Sequence, residues 1–141
     1  MQITTHSTEE TEAFGAQYAQ SLAMGDIVAF SGDLGAGKTA FTRGVLHGLG
    51  YRGRVTSPTF AIANEYETPR GRAVHFDLYR ILDEEALFEI GFDEYLDGSA
   101  IVLIEWSENA AGVLPAHYKT VHIAYGEAEN DRLITTGEAA E

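Results

Sequence analysis

The chain has 141 residues, 45% of them apolar, and a net charge of −13 from 9 Lys and Arg against 22 Asp and Glu. That length suits one compact domain with a buried core, the absence of cysteine excludes disulfides and thiolate metal sites, and no apolar run reaches the roughly 20 residues of a membrane span. The acidic excess argues against stand-alone binding to RNA or DNA, where phosphate neutralisation supplies most of the affinity, and the first residues lack a secretory pattern, so the expected compartment is the cytoplasm.

In chain order, Ile3–Thr5 reads as a short strand. Ser7 and Glu10 have the spacing of a capping box, in which hydroxyl and carboxylate each satisfy an N–H left over at a helix start. Phe14, Tyr18 and Leu22 recur at four-residue steps, predicting one helix over 8–22. Gly25-Asp26 turns the chain, and Ile27–Phe30 is an apolar run with the length of a strand buried on both faces. Beyond a glycine-rich segment, Phe41, Val45, Leu46 and Leu49 have helical spacing, with Gly48 and Gly50 suited to the helix end. Thr56–Phe60 is a polar loop containing proline. Pro69-Arg70-Gly71 is a turn signal between 62–66 and 73–78, which together read as an antiparallel hairpin. Asp83–Ile90 predicts a short helix, acidic in its first turn where the dipole favours negative charge, and stopped by Gly91. A further helical turn is expected over 93–96. Ala100–Ile104 is the most apolar run and ends at Glu105. A helical turn over 107–111 and strands over 118–125 and 132–136 follow, and 137–141 is expected as a flexible tail. This order predicts a single α/β domain over 1–136, with the three layers of a P-loop NTPase around a mixed, mostly parallel sheet that carries an antiparallel hairpin.

The glycine-rich segment is the most specific feature. Gly32-Asp33-Leu34-Gly35-Ala36-Gly37-Lys38-Thr39 matches G-x-x-x-x-G-K-S/T at every fixed position, after an expected buried strand and before an expected helix. Backbone N–H groups must wrap polyphosphate closely, and glycines permit that approach. The helix that follows offers its N-terminal amides to the anion. Lys38 is expected to reach the β- and γ-phosphates and the Thr39 hydroxyl to bind Mg²⁺. Lys38 is one of only two lysines in the chain, the other being Lys119.

Phosphoryl transfer also needs a carboxylate to hold metal or position water, commonly at the end of a buried strand beside the phosphate-loop strand. Glu105 after Ile101–Ile104 is the better fit and Asp77 after Val74–Phe76 the second. Their order in the chain does not settle which meets the metal. The 56–59 loop is the natural place for a γ-phosphate sensor. The histidines show no ligand clustering and read as structural or exposed; His75, two residues from Asp77, is the exception that invites a test. Trp106 reads as core packing, and Arg43, Arg52 and Arg54 as ordinary surface arginines.

Together these residues resemble the TsaE (YjeE) family of bacterial tRNA-modification ATPases. The matching pieces are the 32–39 loop, Ser57-Pro58-Thr59-Phe60, His75-Phe76-Asp77-Leu78-Tyr79-Arg80, Gly91 and Ile104-Glu105-Trp106, in the family's order across roughly 7–125. The family often has proline where this chain has Ser107. The resemblance implies an ATPase, slow alone and dependent on its partners TsaB and TsaD, that supports formation of threonylcarbamoyladenosine beside the tRNA anticodon. It meets tRNA only through that complex and no membrane. It further implies ATP binding by Gly32, Asp33, Leu34, Gly35, Ala36, Gly37, Lys38 and Thr39, Mg²⁺ contacts from Thr39 and Glu105, and catalytic roles for Lys38, Asp77 and Glu105. Thr59 matches the switch-like loop, and Thr8 and Arg132 match nucleotide-flanking positions.

Other readings of a phosphate loop fare less well. A GTPase would read guanine with Asn-Lys-x-Asp, but Gly37 and Tyr118 precede the two lysines. A small-molecule kinase would need an acceptor pocket and an arginine-bearing lid, for which there is little room. A nucleotide-gated interaction module that does not hydrolyse ATP shares the same architecture and stays open.

Overall fold

The structure is a computed structural model that describes residues 1–32, 38–55, 63–78, 84–105, 112 and 114–139. The expectations for 33–37, the 56–60 loop, Tyr79, Arg80, Trp106 and the 107–111 turn therefore lie outside the described residues. Among the described residues seven strands form one sheet: β1 (Gln2–Thr5), β2 (Ile27–Gly32), β3 (Ala63–Thr68), β4 (Gly71–Asp77), β5 (Ile101–Glu105), β6 (Tyr118–Tyr125) and β7 (Arg132–Ala139), in the order β1-β7-β6-β2-β5-β4-β3. The central strands β6, β2, β5 and β4 are parallel, while β3 and β7 run against them and β1 pairs antiparallel with β7. The sheet is thus mixed, with most strands pointing one way, and β3–β4 is the expected hairpin.

Among the described residues three helices flank it: α1 (Thr8–Ala19), α2 (Lys38–Gly48) and α3 (Glu84–Glu89), with a 3-10 turn at Phe92–Leu96. Residues alternate between faces along a strand, so each central strand feeds two cores. Val28, Phe30, Ala73, Ile101, Leu103, Val121 and Ile123 pack under α1 and α2. Ile27, Val74, Phe76, Val102 and Ile104 pack against Leu87 and Phe92 on the opposite face. Burial on both faces explains why Ile27–Phe30 and Ile101–Ile104 are unbroken apolar runs.

Local chemistry sets the helix ends. The Ser7 Oγ accepts from the Glu10 N–H at 3.1 Å, as a capping box requires, but Glu10 Oε1 reaches back to the His6 N–H at 3.3 Å, one residue earlier than that motif predicts. Helix α1 stops at Ala19, short of the expected Leu22. The amides of Gln20, Ser21 and Leu22 tighten to carbonyls three residues back, and Leu22 is buried from that turn instead of from the helix. The Arg70 guanidinium at the hairpin turn then caps this end, donating to the carbonyls of Ala19 at 3.0 Å and Leu22 at 2.7 Å. Helix α2 ends in a Schellman motif, with Tyr51 N–H to Leu46 carbonyl at 2.9 Å and Gly50 N–H to His47 carbonyl at 3.0 Å. Gly50 takes the left-handed backbone that this motif needs (φ 98°).

One expectation is corrected at the surface. Strand β7 runs on to Ala139, with Gly137 opposite Thr120 and Glu138 opposite Lys119, so most of the stretch expected as a tail is paired. Arg43, read as an ordinary surface arginine, is tied to Glu12 of α1 by an ion pair.

Helices α1 and α2 approach backbone to backbone. A methyl group on Gly15 would sit 2.5 Å from the Phe41 carbonyl oxygen, one on Gly48 would sit 2.5 Å from that of Ala16, and one on Gly44 would overlap the Glu12 carbonyl. Gly44→Ala is therefore expected to destabilise the fold by about 1–3 kcal/mol through overpacking, read as a lower midpoint in urea unfolding with an unchanged slope. A wild-type midpoint would show that the helices separate without cost.

Candidate functional site

The parallel register places the C-terminal ends of four strands along one edge. Phe30 of β2 and Asp77 of β4 both stand opposite Glu105 of β5, and Gly32 of β2 stands opposite Ile123 of β6. In open α/β sheets this edge is where ligands bind. Strand β5 lies directly beside β2, whereas β4 is one strand further out. Of the two candidate acids, Glu105 is thus adjacent to the strand that leads into the 32–39 loop, and Asp77 is adjacent to Glu105.

The described ends of that loop are held by the core. Phe41, one turn into α2, meets the rings of Phe30 at 5.7 Å, Phe14 at 6.0 Å and Tyr18 at 5.6 Å between centroids. The strand that enters the loop and the helix that leaves it are thereby fixed to each other. Gly32 shows a constraint that the motif alone does not give. Its φ is 125°, and a methyl group there would overlap the Ile123 carbonyl. At this first glycine the close approach is to β6, so the sheet itself demands the residue. Lys38 is 6% exposed, a degree of burial that lysine seldom reaches without an anionic or hydrogen-bonding partner, and Thr39 is half-buried beside it.

Glu105 is also buried. His75 Nε2 lies 2.6 Å from its Oε2, with side-chain exposures of 0% and 8%. His75 thus belongs to Glu105, across the sheet, and not to Asp77, its neighbour in the chain. Its Nδ1 is buried without a hydrogen-bond partner among the described residues. An orphan N–H costs more than an orphan lone pair, so the proton belongs on Nε2, which donates to the carboxylate. Asp77 is half-buried at the edge.

Thr8 and Arg132 come together although 124 positions separate them in the chain. With Ser7, Thr11, Ala40 and Asn130 they line a small cleft of about 40 Å³ that borders the first turn of α2. Arg132 is held in place by Nη1 bonds of 2.8 Å to the carbonyls of Glu129 and Asp131, and by the Tyr125 ring, 4.9 Å from its guanidinium carbon. Asn130 and Thr11 are additions that sequence reading missed. Asn130 sits in a turn before β7, and Thr11 has the pattern of an ordinary buried helix position.

Among the described residues no three His, Cys, Asp or Glu side chains cluster as a metal cage. Mg²⁺ at a nucleotide needs none, because it takes one or two protein oxygens and completes its shell with phosphate and water. A hydroxyl at Thr39 and a buried carboxylate at Glu105 are hard oxygen donors of the type that suits it. No described helix is long and apolar enough to cross a membrane.

Known proteins are similar to this chain in sequence and fold. The family model described as threonylcarbamoyl adenosine biosynthesis protein TsaE matches residues 5–134. The tRNA threonylcarbamoyladenosine biosynthesis protein TsaE of Haemophilus influenzae is 42% identical over 127 residues, covering 86% of this chain and 80% of that protein. Its Bacillus subtilis counterpart is 41% identical over 111 residues, 79% of this chain and 69% of that one. A crystal structure of Bacillus subtilis YdiB superposes with a TM-score of 0.80 at 33% identity, covering 100% of this chain and 86% of the other.

One wall of the Thr8–Arg132 cleft is pinned by His6, whose Nδ1 lies 2.8 Å from Asp131 Oδ1. The hydrogen bond and charge of Asp131 raise the His6 pKa, and the same bond lowers that of Asp131. The His6 contribution is complete below the ordinary histidine range and fades as pH rises through its raised value. The Asp131 contribution is complete above the ordinary carboxylate range and fades as pH falls through its lowered value. The pair therefore holds between those ranges. In an NMR titration, Asp131→Asn is expected to bring the His6 midpoint back towards about 6.5; an unmoved midpoint would mean that the contact is not populated in solution.

Proposed function

Because the chain belongs to the TsaE family, we propose that it acts in tRNA threonylcarbamoyladenosine biosynthesis as a Mg²⁺-dependent ATPase, working with TsaB and TsaD in the cytoplasm. The observation that carries this reading is the edge where β5 and β4 end at Glu105 and Asp77 beside the end of β2, to which the first turn of α2 is tied by Phe41 packed on Phe30. Lys38 and Thr39 in that turn and the two acids are the residues that a phosphate loop with a metal-linked acid requires.

In this reading the 32–39 loop wraps the phosphates with backbone N–H groups, and the buried Lys38 places a fixed positive charge against them. Mg²⁺, bound with the nucleotide, supplies neutralisation of charge on the β- and γ-phosphates. Thr39 and Glu105 would hold it, and Asp77, next to Glu105, would orient the attacking water. Thr8 and Arg132 would flank the nucleoside end from the cleft beside α2. The net charge of −13 leaves tRNA to the partners.

ATP turnover by the purified protein, alone and with the TsaB–TsaD pair, tests the reading. Strong stimulation by the pair is the expected result. ATP bound but never hydrolysed would favour a nucleotide-gated module, and turnover indifferent to the pair would remove the partnership. Lys38→Ala is expected to lower turnover or ATP affinity by roughly 100-fold, the scale of losing one fixed charge at a phosphoryl centre. Glu105→Ala is expected to reduce turnover much more than ATP affinity measured without Mg²⁺. A normal rate in either variant would sink the role assigned to that residue.

A further inference from the structure

Glu105 does not stand alone at the edge of the sheet: it is met from the buried side by His75. From this contact, and resting on the reading of Glu105 as the metal-linked acid, we propose that His75 is a positioning residue. It holds the Glu105 carboxylate in one orientation by donating its Nε2–H to Oε2, so that Oε1 is kept for Mg²⁺ or its water.

The geometry requires two adjacent parallel strands. His75 stands opposite Leu103, and Asp77 stands opposite Glu105. Side chains two apart share a face, so His75 lies one step behind the two acids, on the face covered by α1 and α2. From there it reaches Glu105 at 2.6 Å while remaining fully buried. Its neighbours on β4 are Ala73, Val74 and Phe76, all buried, and an aliphatic residue would fill the position without bringing in a polar ring. The ring is instead present with Nδ1 unpartnered among the described residues. The tautomer that makes this tolerable is the one that directs a donor at Glu105. A carboxylate free to rotate would lose rotamer entropy on taking a metal, and one already fixed by an imidazole loses less. Outer hydrogen-bond partners of metal ligands act in this way generally.

The test is equilibrium titration of ATP with and without Mg²⁺ on the wild-type protein and on His75→Leu, His75→Gln, His75→Asn and Glu105→Ala, with folding checked by circular dichroism and thermal unfolding. A glutamine amide nitrogen falls near the place of Nε2 and restores the donor; an asparagine amide falls near Nδ1 and does not. His75→Leu and His75→Asn are expected to lose about 10-fold or more of the Mg²⁺-dependent gain in affinity, with Mg²⁺-free affinity unchanged, while His75→Gln stays near wild type. Having both Leu and Asn variants keeps the comparison decisive if one fails to fold. If Glu105→Ala loses the Mg²⁺ response and folded His75→Leu or His75→Asn keeps it, the positioning role is overturned and the reading of Glu105 survives. The positioning role is likewise overturned if folded His75→Gln falls as far as His75→Asn. A wild-type affinity indifferent to Mg²⁺, or a Glu105→Ala response equal to wild type, overturns the metal-linked reading of Glu105 and the positioning role with it.

Discussion

The site depends on β2 being buried on both faces between two parallel neighbours. Ile27 faces one core, and Val28 and Phe30 face the other. Each buried side chain of this size contributes on the order of 1.5–3 kcal/mol, enough to hold the strand at the centre of the sheet. Parallel pairing with β5 and β6 then brings the C-terminal ends of three strands to one edge, and β4 adds a fourth. The end of β2 is brought beside Glu105 by this pairing, and Asp77 stands opposite Glu105 by the pairing of β4 with β5. Without the double burial β2 would tolerate an edge position, and the strand that leads into the 32–39 segment would not lie beside the acids.

The polar groups at that edge are anchored in the apolar interior behind them. Phe41 ties the first turn of α2 to Phe30 and to α1, so the helix that begins with Lys38 cannot tilt without disturbing an aromatic cluster. The glycines between α1 and α2 let this cluster form by allowing the two backbones to touch. His75 meets Glu105 from the buried side as Phe41 meets Phe30, with a hydrogen bond in place of ring contact. Both arrangements exchange freedom at the site for burial beneath it, which is the general requirement for a preorganised electrostatic site.

The two ends of the proposed site are built differently. The strand-end acids rest on the central sheet, whereas the Thr8–Arg132 cleft joins the start of α1 to the turn before β7, both near the β1–β7 side. The Thr5 and Thr11 hydroxyls, 2.7 Å apart and buried, fasten β1 to α1, and His6 fastens the same segment to Asp131. A pH-sensitive contact thus borders one side of the cleft while the opposite end of the site is fixed by packing.

The amino-acid sequence by itself determined the elements whose signals are local. Alternation and apolar runs gave the strands, four-residue spacing gave α1 and α2, the 69–71 turn gave the hairpin, and the strand before the 32–39 motif and the helix after it both stand where that motif expects them. Local signals also failed in local ways: α1 ends at Ala19 because the chain tightens there under the Arg70 cap, and β7 continues through Gly137 because β6 offers it a ladder. Only the tertiary structure decided which strand lies beside which. The sequence named Glu105 and Asp77 but not that β5 is next to β2, and it showed His75 only as two residues from Asp77 while the sheet pairs its ring with Glu105. The physical reason is that pairing between distant strands is set by the packing of whole faces, and no short-range pattern records it. The same holds for Gly32, whose motif position suggested room for phosphate while its backbone shows a strand pressed against it.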